Sequence, residues 1–598
     1  MSQTSPTLLR WQAANRHIIA KSLAELCYEQ VLTPGGDSET PDHIHLTNGI
    51  RYRFRAHRTI WDWLHIDATS IRREDGQRLT PANDAAQFFI DAAVDLQLDP
   101  STLGNLLHET ANTIAADVIL LAAREGLDAA TLSRQSDETL QCLLDGHPKA
   151  IANKGRIGWG AEEYARYGTE SASTVRLQWL AVDRELAISG QQADWPVDAL
   201  LNESLDQTQR AAFDAACEAQ GVNWNDKLPV PVHPWQWQHH IRHHYAGEIA
   251  AGRIRPLGEF GDRYLPQVSL RTLSNDERPA ALHIKLPLTV LNTSCYRGIP
   301  GQYMECGPAL SAWVQALCET DTELANRGTA VLQEVAGVHV PHPHHSQIEG
   351  TPYRYNEMLG STWRQSPAAH CAAGERHLLM AALLQSDAEG NSICKALIAQ
   401  SGLSTEAWLK NLFNAVVIPL YHLLCCYGIG LVAHSQNLTL VLRDNVPTRV
   451  LLKDFQGDLR LVDAAFPEAA DLPDSARAVL TRLPAPYIYH DLFTGHFVTV
   501  LRYLSAQLLA DSELDELRFY RVLATVLRNY QATHPELEER FALFDLFREK
   551  VERVCINRVR FKVGYNDNAE RPVPIVGGKL NNPLWLAEQV AQPLEQAS

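Results

Sequence analysis

Two short polar runs flank a segment whose pattern predicts a β-hairpin, with strands Leu438–Leu442 and Arg449–Lys453. Asn437 ends the run His434-Ser435-Gln436-Asn437, and Asp454 follows the second strand. A two-stranded ribbon brings its ends together, so we expect Asn437 and Asp454 to lie side by side. An amide oxygen and a carboxylate suit Mg²⁺, which takes its other ligands from waters and phosphates. The alternative is a hairpin whose polar ends only cap it.

Protein kinases place a catalytic Asn and a following Asp in the same order, which makes a small-molecule kinase one interpretation of this segment. Kinases also carry a carboxylate base just before the Asn. The run Leu431–Leu442 contains neither Asp nor Glu. A carboxylate nucleophile is already an anion and needs no base. The segment therefore favours activation of a carboxylate over phosphorylation of a hydroxyl.

A second group of residues is typical of a polyphosphate site. The turn Ser269-Leu270-Arg271-Thr272 is followed by the strand Leu282–Leu286 and then by Arg297. Strand alternation puts His283 and Lys285 on one face, which we expect to be half-buried. Hydroxyl donors, guanidinium forks and an ammonium group hold phosphates, so the predicted site consists of Ser269, Arg271, Thr272, Lys285 and Arg297. A solvated strand face is the alternative, and no P-loop or dinucleotide-binding glycine motif is present.

A third group suits a substrate anion. The loop from Asp145 to Gly168 carries His147, Lys154 and Arg156 among small residues. Cations in a turn-rich stretch can bind a carboxylate or phosphate, although such a loop is often only solvated surface. A similar polar cluster stands at Trp363-Arg364, so the predicted substrate residues are His147, Lys154, Arg156 and Arg364.

Two groups of histidines suggest a zinc site, but the pattern does not favour one. Neither group comes with His-Glu-x-x-His or paired cysteines, and such spacings arise easily among 24 histidines. The two groups are His239, His240, His243 and His244, and His339, His342, His344 and His345.

Composition narrows the class of protein. The 598 residues carry 53 Lys and Arg against 70 Asp and Glu, a net charge of −17, which argues against nucleic acid or an anionic membrane as partner. Eleven cysteines without Cys-x-x-Cys spacing, and no secretory signal, predict reduced thiols and a cytoplasmic location. The apolar run Ala415–Ala433 contains Pro419 and His422, which favours a buried core helix over a membrane span.

The periodicity predicts an α+β protein of three units. These are a mixed α/β part (1–170), a β-rich centre (171–373) and a mainly helical part (374–598) with the hairpin at 438–453. The predicted elements are a helix over Trp11–Leu32, strand structure near Arg51–Ile60, helices over Ala82–Asp145, and short strands within Gln267–Leu291 and Ala330–Val340.

Taken together, these motifs resemble those of the NRPS-independent siderophore synthetases, the aerobactin-synthetase-like enzymes. The resemblance runs over nearly the whole chain. It rests on the Ser-x-Arg-Thr turn, His283-x-Lys285-Leu286-Pro287, His434-x-Gln436-Asn437 and Lys453-Asp454-Phe455, with Arg10-Trp11-x-x-Ala14-Asn15-Arg16, Asp145-Gly146-His147-Pro148, His233-Pro234-Trp235 and Trp363-Arg364.

The resemblance implies a cupped architecture of thumb, fingers and palm, with ATP between the β-rich fingers and the helical palm. It implies that ATP and a carboxylate form an acyl-adenylate, which an amine or hydroxyl then attacks. It also implies a homodimer and small-molecule substrates.

Residue roles follow from the same resemblance. Asn437 and Asp454 would hold Mg²⁺, and His434 and Gln436 would contact the nucleotide. The residues implied to stabilise charge at the α-phosphate are Arg271, Lys285, Arg297 and His434.

One departure from the family's motifs predicts the branch to which this chain belongs. Many citrate-using members carry a second His-Pro after the first, whereas this chain continues His147-Pro148-Lys149-Ala150. The pattern looks more like the alcaligin- and desferrioxamine-type synthetases, which join and cyclise succinyl-hydroxydiamine units. A citrate-condensing synthetase is the alternative. The family's C-terminal part also resembles ferric-siderophore reductases, but their Cys-x-x-Cys iron–sulfur ligands are missing here.

Overall fold

The computed structural model describes residues 5–293, 295–509, 515–563, 565 and 575–589. The protein has the predicted α+β fold, with mainly antiparallel sheets and helices packed around several cores. Whether the chain divides at residues 170 and 373 stays a prediction.

The first helix, Pro6–Tyr28, lies about five residues earlier than predicted. Pro6 occupies its first turn, where a missing N–H costs nothing, and Gln30 ends the helical path with a left-handed φ of 57°. Helices Ala85–Ala92 and Pro100–Ala123 pack beside it. A five-stranded sheet completes this part, in the order Pro34–Gly36, Pro41–His45, Arg51–Arg53, Arg72–Asp75 and Arg78–Pro81.

A fully antiparallel sheet of eight strands, here called the central sheet, forms the middle of the chain. The strand order departs from the chain order because Gly360–Arg364 lies between His283–Lys285 and Glu334–His339. The strands lie in the order Lys227–Val232, Val175–Asp183, Ile254–Pro266, Thr272–Asn275, His283–Lys285, Gly360–Arg364, Glu334–His339 and Ile188–Gln191.

The late hairpin pairs Leu438–Arg443 with Val446–Leu452. Its turn is shorter than the connection predicted between Leu442 and Arg449 and consists of Asp444 and Asn445. Both have positive φ, 52° and 62°, which short polar side chains tolerate and which matches the twist of a two-residue hairpin. Ala330–Val331 and Glu375–Leu379 extend the hairpin into a four-stranded sheet.

The apolar run Ala415–Ala433 belongs mostly to the helix Thr405–Tyr427, whose core-facing residues are buried, as predicted. Gly428, with a left-handed φ of 66°, ends this helix before the strand Ile429–Leu431. By length and composition alone, this helix and Pro100–Ala123 are long and apolar enough to cross a membrane. Within the fold, 78% of the apolar stretch of Thr405–Tyr427 is buried, as expected of a core helix.

The remaining longer helices lie mainly in the C-terminal part, and several short ones join the strands. The longer ones are Val197–Ser204, Gln207–Ala219, Gly307–Thr320, Ile393–Ser401, Ala485–Leu492, Arg502–Leu509 and Glu516–Thr533, with Asn557–Val563 and Pro583–Gln589 near the end of the chain.

The C-terminal segment returns to the first helix. The carboxylate of Glu29 accepts hydrogen bonds from the backbone N–H groups of Ile556, Asn557 and Arg558, at 2.8–3.1 Å. The side chain of Asn557 in turn donates to the carbonyl of Lys149 at 3.0 Å. The last part of the chain therefore supports the loop that carries His147.

Candidate nucleotide and carboxylate site

One face of the central sheet gathers polar residues from four strands. Lys285 pairs in register with Thr272 on one side and Thr362 on the other. Two residues away, Arg364 pairs with both His283 and Glu334. Neighbours in register share a face, so these side chains form two adjacent polar rows. The face is more deeply buried than predicted, with Lys285 8% and His283 2% exposed.

The end of the late hairpin packs against this face. Asp454, with a left-handed φ of 65°, forms ion pairs with Lys285 and, at 2.9 Å, with Arg364. Two residues on, the side-chain amide of Gln456 donates to the carboxylate of Glu334 at 2.8 Å. The structure therefore brings together Lys285, Arg364 and Asp454, as expected if the centre and the hairpin share one site.

The electrostatics of this cluster favour an anion. Burial would raise the pKa of Asp454, but Arg364, Lys285 and Lys453 outweigh it and hold that pKa well below its usual range. Burial, aided by Arg364, lowers the pKa of Lys453 to about 8. Burial raises the pKa of Glu334. The three buried cations Lys285, Arg364 and Lys453 thus face the charge of Asp454 and the carboxyl group of Glu334, which resists ionisation. The cluster therefore carries an excess of positive charge that a polyphosphate can neutralise.

The predicted phosphate turn borders the same strands. Within the turn, the Ser269 hydroxyl accepts a hydrogen bond from the Thr272 N–H at 3.2 Å. The carbonyl of Arg271 accepts one from the Leu286 N–H at 2.9 Å, which joins the turn to the end of the next strand. The Arg271 guanidinium donates to the Gly298 carbonyl. Arg297, on the small hairpin of Leu288–Asn292 and Cys295–Arg297, donates to the Asn292 carbonyl at 2.8 Å. Arg271 is thereby tied to the hairpin that carries Arg297.

His147 and His434 line one narrow cavity together with Gln436. The Nδ1 atom of His147 accepts the N–H groups of Lys149 and Ala150, and that of His434 accepts the N–H of Gln436. An Nδ1 atom that accepts leaves Nε2–H as the donor. Burial, then the charge of Lys21, lowers the pKa of His147 to about 3, so the ring is neutral near pH 7.

Asn437 lies beside Lys453, whose backbone N–H donates to the Asn437 carbonyl at 3.2 Å, as a closing ribbon requires. Its side-chain amide, however, bonds to Asp458 at 3.0 Å, while the carboxylate of Asp454 faces Lys285. Asp458 is absent from the predicted site. The only signal for it in the sequence is a second carboxylate four residues after Asp454.

Two predicted substrate residues are engaged in buried ion pairs. Lys154 contacts the carboxylate of Asp117 at 2.7 Å, and Arg156 contacts that of Glu170 through two nitrogens at 2.6 and 2.9 Å. Both cations are already neutralised, and their substrate roles stay predictions. Their loop is joined to the centre by a β-bridge between Ile157 and Leu291.

The two groups of histidines meet at the far end of the strand that begins at Glu334. His244, His342 and His345 place ligand atoms within 4.8 Å of one another. The Nδ1 atom of His342, however, accepts the N–H groups of His344 and His345 at 3.2 Å, which places its proton on Nε2. The ring is thus bonded as a cap of its own loop rather than as a metal ligand.

Comparison with known proteins identifies relatives over almost the whole chain. Residues 137–385 match the IucA / IucC family, and residues 406–570 match a family described as ferric iron reductase FhuF-like transporter. An aerobactin synthase of Escherichia coli is 45% identical over 97% of this chain and 98% of its own length.

Solved structures agree with this similarity. Aerobactin synthetase IucC from Klebsiella pneumoniae superimposes with a TM-score of 0.86 at 43% identity, covering 97% of this chain and 99% of that one. ATP-bound aerobactin synthetase IucA from the same species has a TM-score of 0.74, with 96% and 99% covered. At 18% identity, that likeness shows the fold alone.

These relatives place the chain in a class of ATP-dependent ligases that make siderophores. The chain belongs to the IucA / IucC family of siderophore synthetases.

The reductase-like match does not bring iron–sulfur ligands with it. Cys425 lies buried in a core helix, and Cys555 lies in a strand of the C-terminal segment. All eleven cysteines are free thiols, and among the described residues no cluster of potential metal ligands holds more than one of them.

Proposed function

We propose that this synthetase binds ATP on the polar face of the central sheet and transfers AMP to a carboxylate before condensing it with an amine. The observation that carries the proposal is the convergence of Lys285 and Arg364 on Asp454 beside the predicted phosphate turn. In the first step a carboxylate oxygen attacks the α-phosphorus and pyrophosphate leaves. In the second step the amine nitrogen attacks the acyl carbon, AMP leaves, and the nitrogen loses a proton.

The cations support the first step. Negative charge grows on the phosphate oxygens as pyrophosphate departs, and Lys285 and Arg364 are already fixed by strand pairing at this face. Arg271 and Arg297 border it. His147 and His434 offer N–H donors in the adjoining cavity, where a carboxylate oxygen would be held.

An amide oxygen, as in Asn437, and a carboxylate oxygen, as in Asp454, are of the types that Mg²⁺ prefers. They would hold the ion, and the ion would neutralise charge on the phosphates. Asp454 is paired with Lys285 and Arg364, so we expect the metal to bind with ATP rather than before it.

We propose a citrate-derived carboxylate as the acyl donor, and an amine as the acceptor. The similarity to a citryl-spermidine ligase of Bacillus anthracis, 26% identical over 97% of this chain, supports this alternative over the predicted succinyl-hydroxydiamine donor. A cytoplasmic location and a homodimer stay predictions from the sequence.

A pyrophosphate-release screen tests the function. Purified enzyme is given ATP, Mg²⁺ and either citrate, a citryl amide, succinate or an N-hydroxy-N-succinyl diamine, and pyrophosphate, AMP and ADP are measured. We expect pyrophosphate and AMP with the citrate compounds. ADP formed only in the presence of the acceptor would identify a kinase instead, and release only with the succinyl compound would restore the other donor.

A further inference from the structure

The side chain of Asn437 can serve a cation in only one of its two orientations. A carboxamide carries an acceptor oxygen on one side and an NH₂ donor on the other, and only the oxygen ligates a metal. The surroundings of Asn437 must therefore select one orientation.

The hydrogen bonds of the Asn437 side chain select one orientation of its amide. Its Nδ2 donates to the carbonyl of Val432 at 2.9 Å and to the carboxylate of Asp458 at 3.0 Å, which occupies both N–H bonds. Within the described part of the chain, no group donates to Oδ1. A flipped amide would set its oxygen against two acceptors.

The two acceptors are also fixed relative to each other. The backbone N–H of Val432 donates to the backbone carbonyl of Asp458 at 2.8 Å. Asp458 and Asp454 belong to the same loop, four residues apart, so the loop that would supply one metal ligand also orients the other.

We propose that Asp458 is the positioning residue of the nucleotide site: its carboxylate holds the Asn437 amide so that Oδ1 faces a metal ion bound with ATP. This inference rests on the proposed function, because it assigns a role in the Mg²⁺ site of that function. Asp458 acts through Asn437 and does not itself touch the ion.

The test measures metal-dependent nucleotide binding rather than turnover. A non-hydrolysable ATP analogue is titrated by calorimetry into wild type, Asp458→Ala and Asp458→Asn, first in EDTA and then over a range of Mg²⁺ concentrations. We expect Asp458→Ala to raise the half-saturating Mg²⁺ concentration about 10–100-fold, the usual effect of losing a partner that orients a ligand. Binding in EDTA should stay within about twofold of wild type.

Asp458→Asn keeps the shape and one acceptor oxygen, so we expect a smaller shift and an intact fold. The matched control is Asp463→Ala, which removes an exposed carboxylate just after the next strand and should change neither measurement. An unchanged Mg²⁺ requirement in Asp458→Ala, or an equal loss of affinity with and without Mg²⁺, would overturn the positioning role. Wild-type binding that ignores Mg²⁺ would instead refute the metal site of the proposed function.

Discussion

The carboxylate of Asp454 forms ion pairs with Lys285 and Arg364. A polyphosphate that enters the site competes for the same two cations. Buried cations without a partner are costly, so Asp454 stabilises the free enzyme and opposes binding of ATP alone.

Replacing Asp454 by Asn should separate these two effects. We expect Asp454→Asn to bind ATP more tightly than wild type in EDTA, because the competing charge is gone. Pyrophosphate release with Mg²⁺ should fall about 10²–10³-fold. Calorimetry and a pyrophosphate assay measure the two quantities.

Lys285→Ala is the matched partner variant, since it removes the opposite member of the same ion pair. It should weaken ATP binding and reduce pyrophosphate release by a similar factor. Near-wild-type turnover in either variant would remove that residue from the mechanism.

The lowered pKa of Lys453 predicts that nucleotide binding depends on pH. Its pKa is lowered to about 8, chiefly by burial, so it loses its charge as the pH rises through that value. We expect ATP affinity to fall between pH 7 and 9. In Lys453→Arg the fall should be smaller, because a guanidinium stays charged over this range. An identical decline in both proteins would show that another group is responsible.

Residue types and spacing predict part of this site. Lys285, Arg364 and Asp454 stand out as polar groups at strand ends, and strand pairing brings them together. Lys154 and Arg156 look equally free in the sequence. Their partners lie 37 and 14 positions away, and nothing in the local pattern reveals such a pairing.

At the scale of elements, the late hairpin depends on its two-residue turn. Asn445 adopts φ = 62°, its side chain accepts from Arg376 at 3.0 Å, and its carbonyl accepts from Trp408 at 2.9 Å. The turn thus fixes the register of both strands and, at their other end, the places of Asn437 and Asp454.

Substitutions at Asn445 should distinguish backbone strain from the lost contact. We expect Asn445→Val to lower the free energy of unfolding by about 1–3 kcal/mol, because a β-branched residue is strained at positive φ. Asn445→Gly keeps the backbone geometry and loses only the Arg376 bond, so its cost should be about 1 kcal/mol or less. Urea titration compares the variants, and equal losses would contradict the strain argument.

Element types are predictable here because alternation, proline and glycine mark them locally. The strand order of the central sheet is not. Gly360–Arg364 inserts beside His283–Lys285, and Ile188–Gln191 pairs with Glu334–His339, contacts that no local pattern specifies. The predicted alternation of faces is present, but the burial of the polar face follows from packing against the hairpin end.

At the scale of the molecule, Glu25 joins distant parts of the chain. Its carboxylate contacts Arg502 at 2.9 Å and Lys149 at 3.0 Å, and it accepts from the Tyr503 hydroxyl at 2.6 Å. These partners come from a C-terminal helix and from the loop that carries His147.

Glu25→Gln should therefore destabilise the whole fold. We expect a loss of about 3–5 kcal/mol at pH 7, because buried Arg502 loses its counter-charge and Lys149 keeps only Glu29, at 3.2 Å. Burial opposes ionisation of Glu25, but Arg502 and Lys149 outweigh it and lower its pKa to about 2. The stabilisation is thus present above about pH 4.5 and is lost as the pH falls toward 2.

Urea unfolding at several pH values measures this difference, which should shrink on acidification. The control is Glu125→Gln, whose 70% exposed side chain pairs with Arg10 on the surface and should contribute less than about 1 kcal/mol. A pH-independent difference for Glu25→Gln would contradict the assigned charge state.

The hydrogen bonds that join Glu29 to Asn557, and Asn557 to Lys149 in the loop that carries His147, have a consequence for the synthesis of the chain. Asn557 is synthesised 408 positions after Lys149, yet residues 556–558 hold the backbone on which His147 stands. A nascent chain that has not reached residue 556 lacks this support. The loop that carries His147 should therefore gain its full support only after synthesis has passed residue 558.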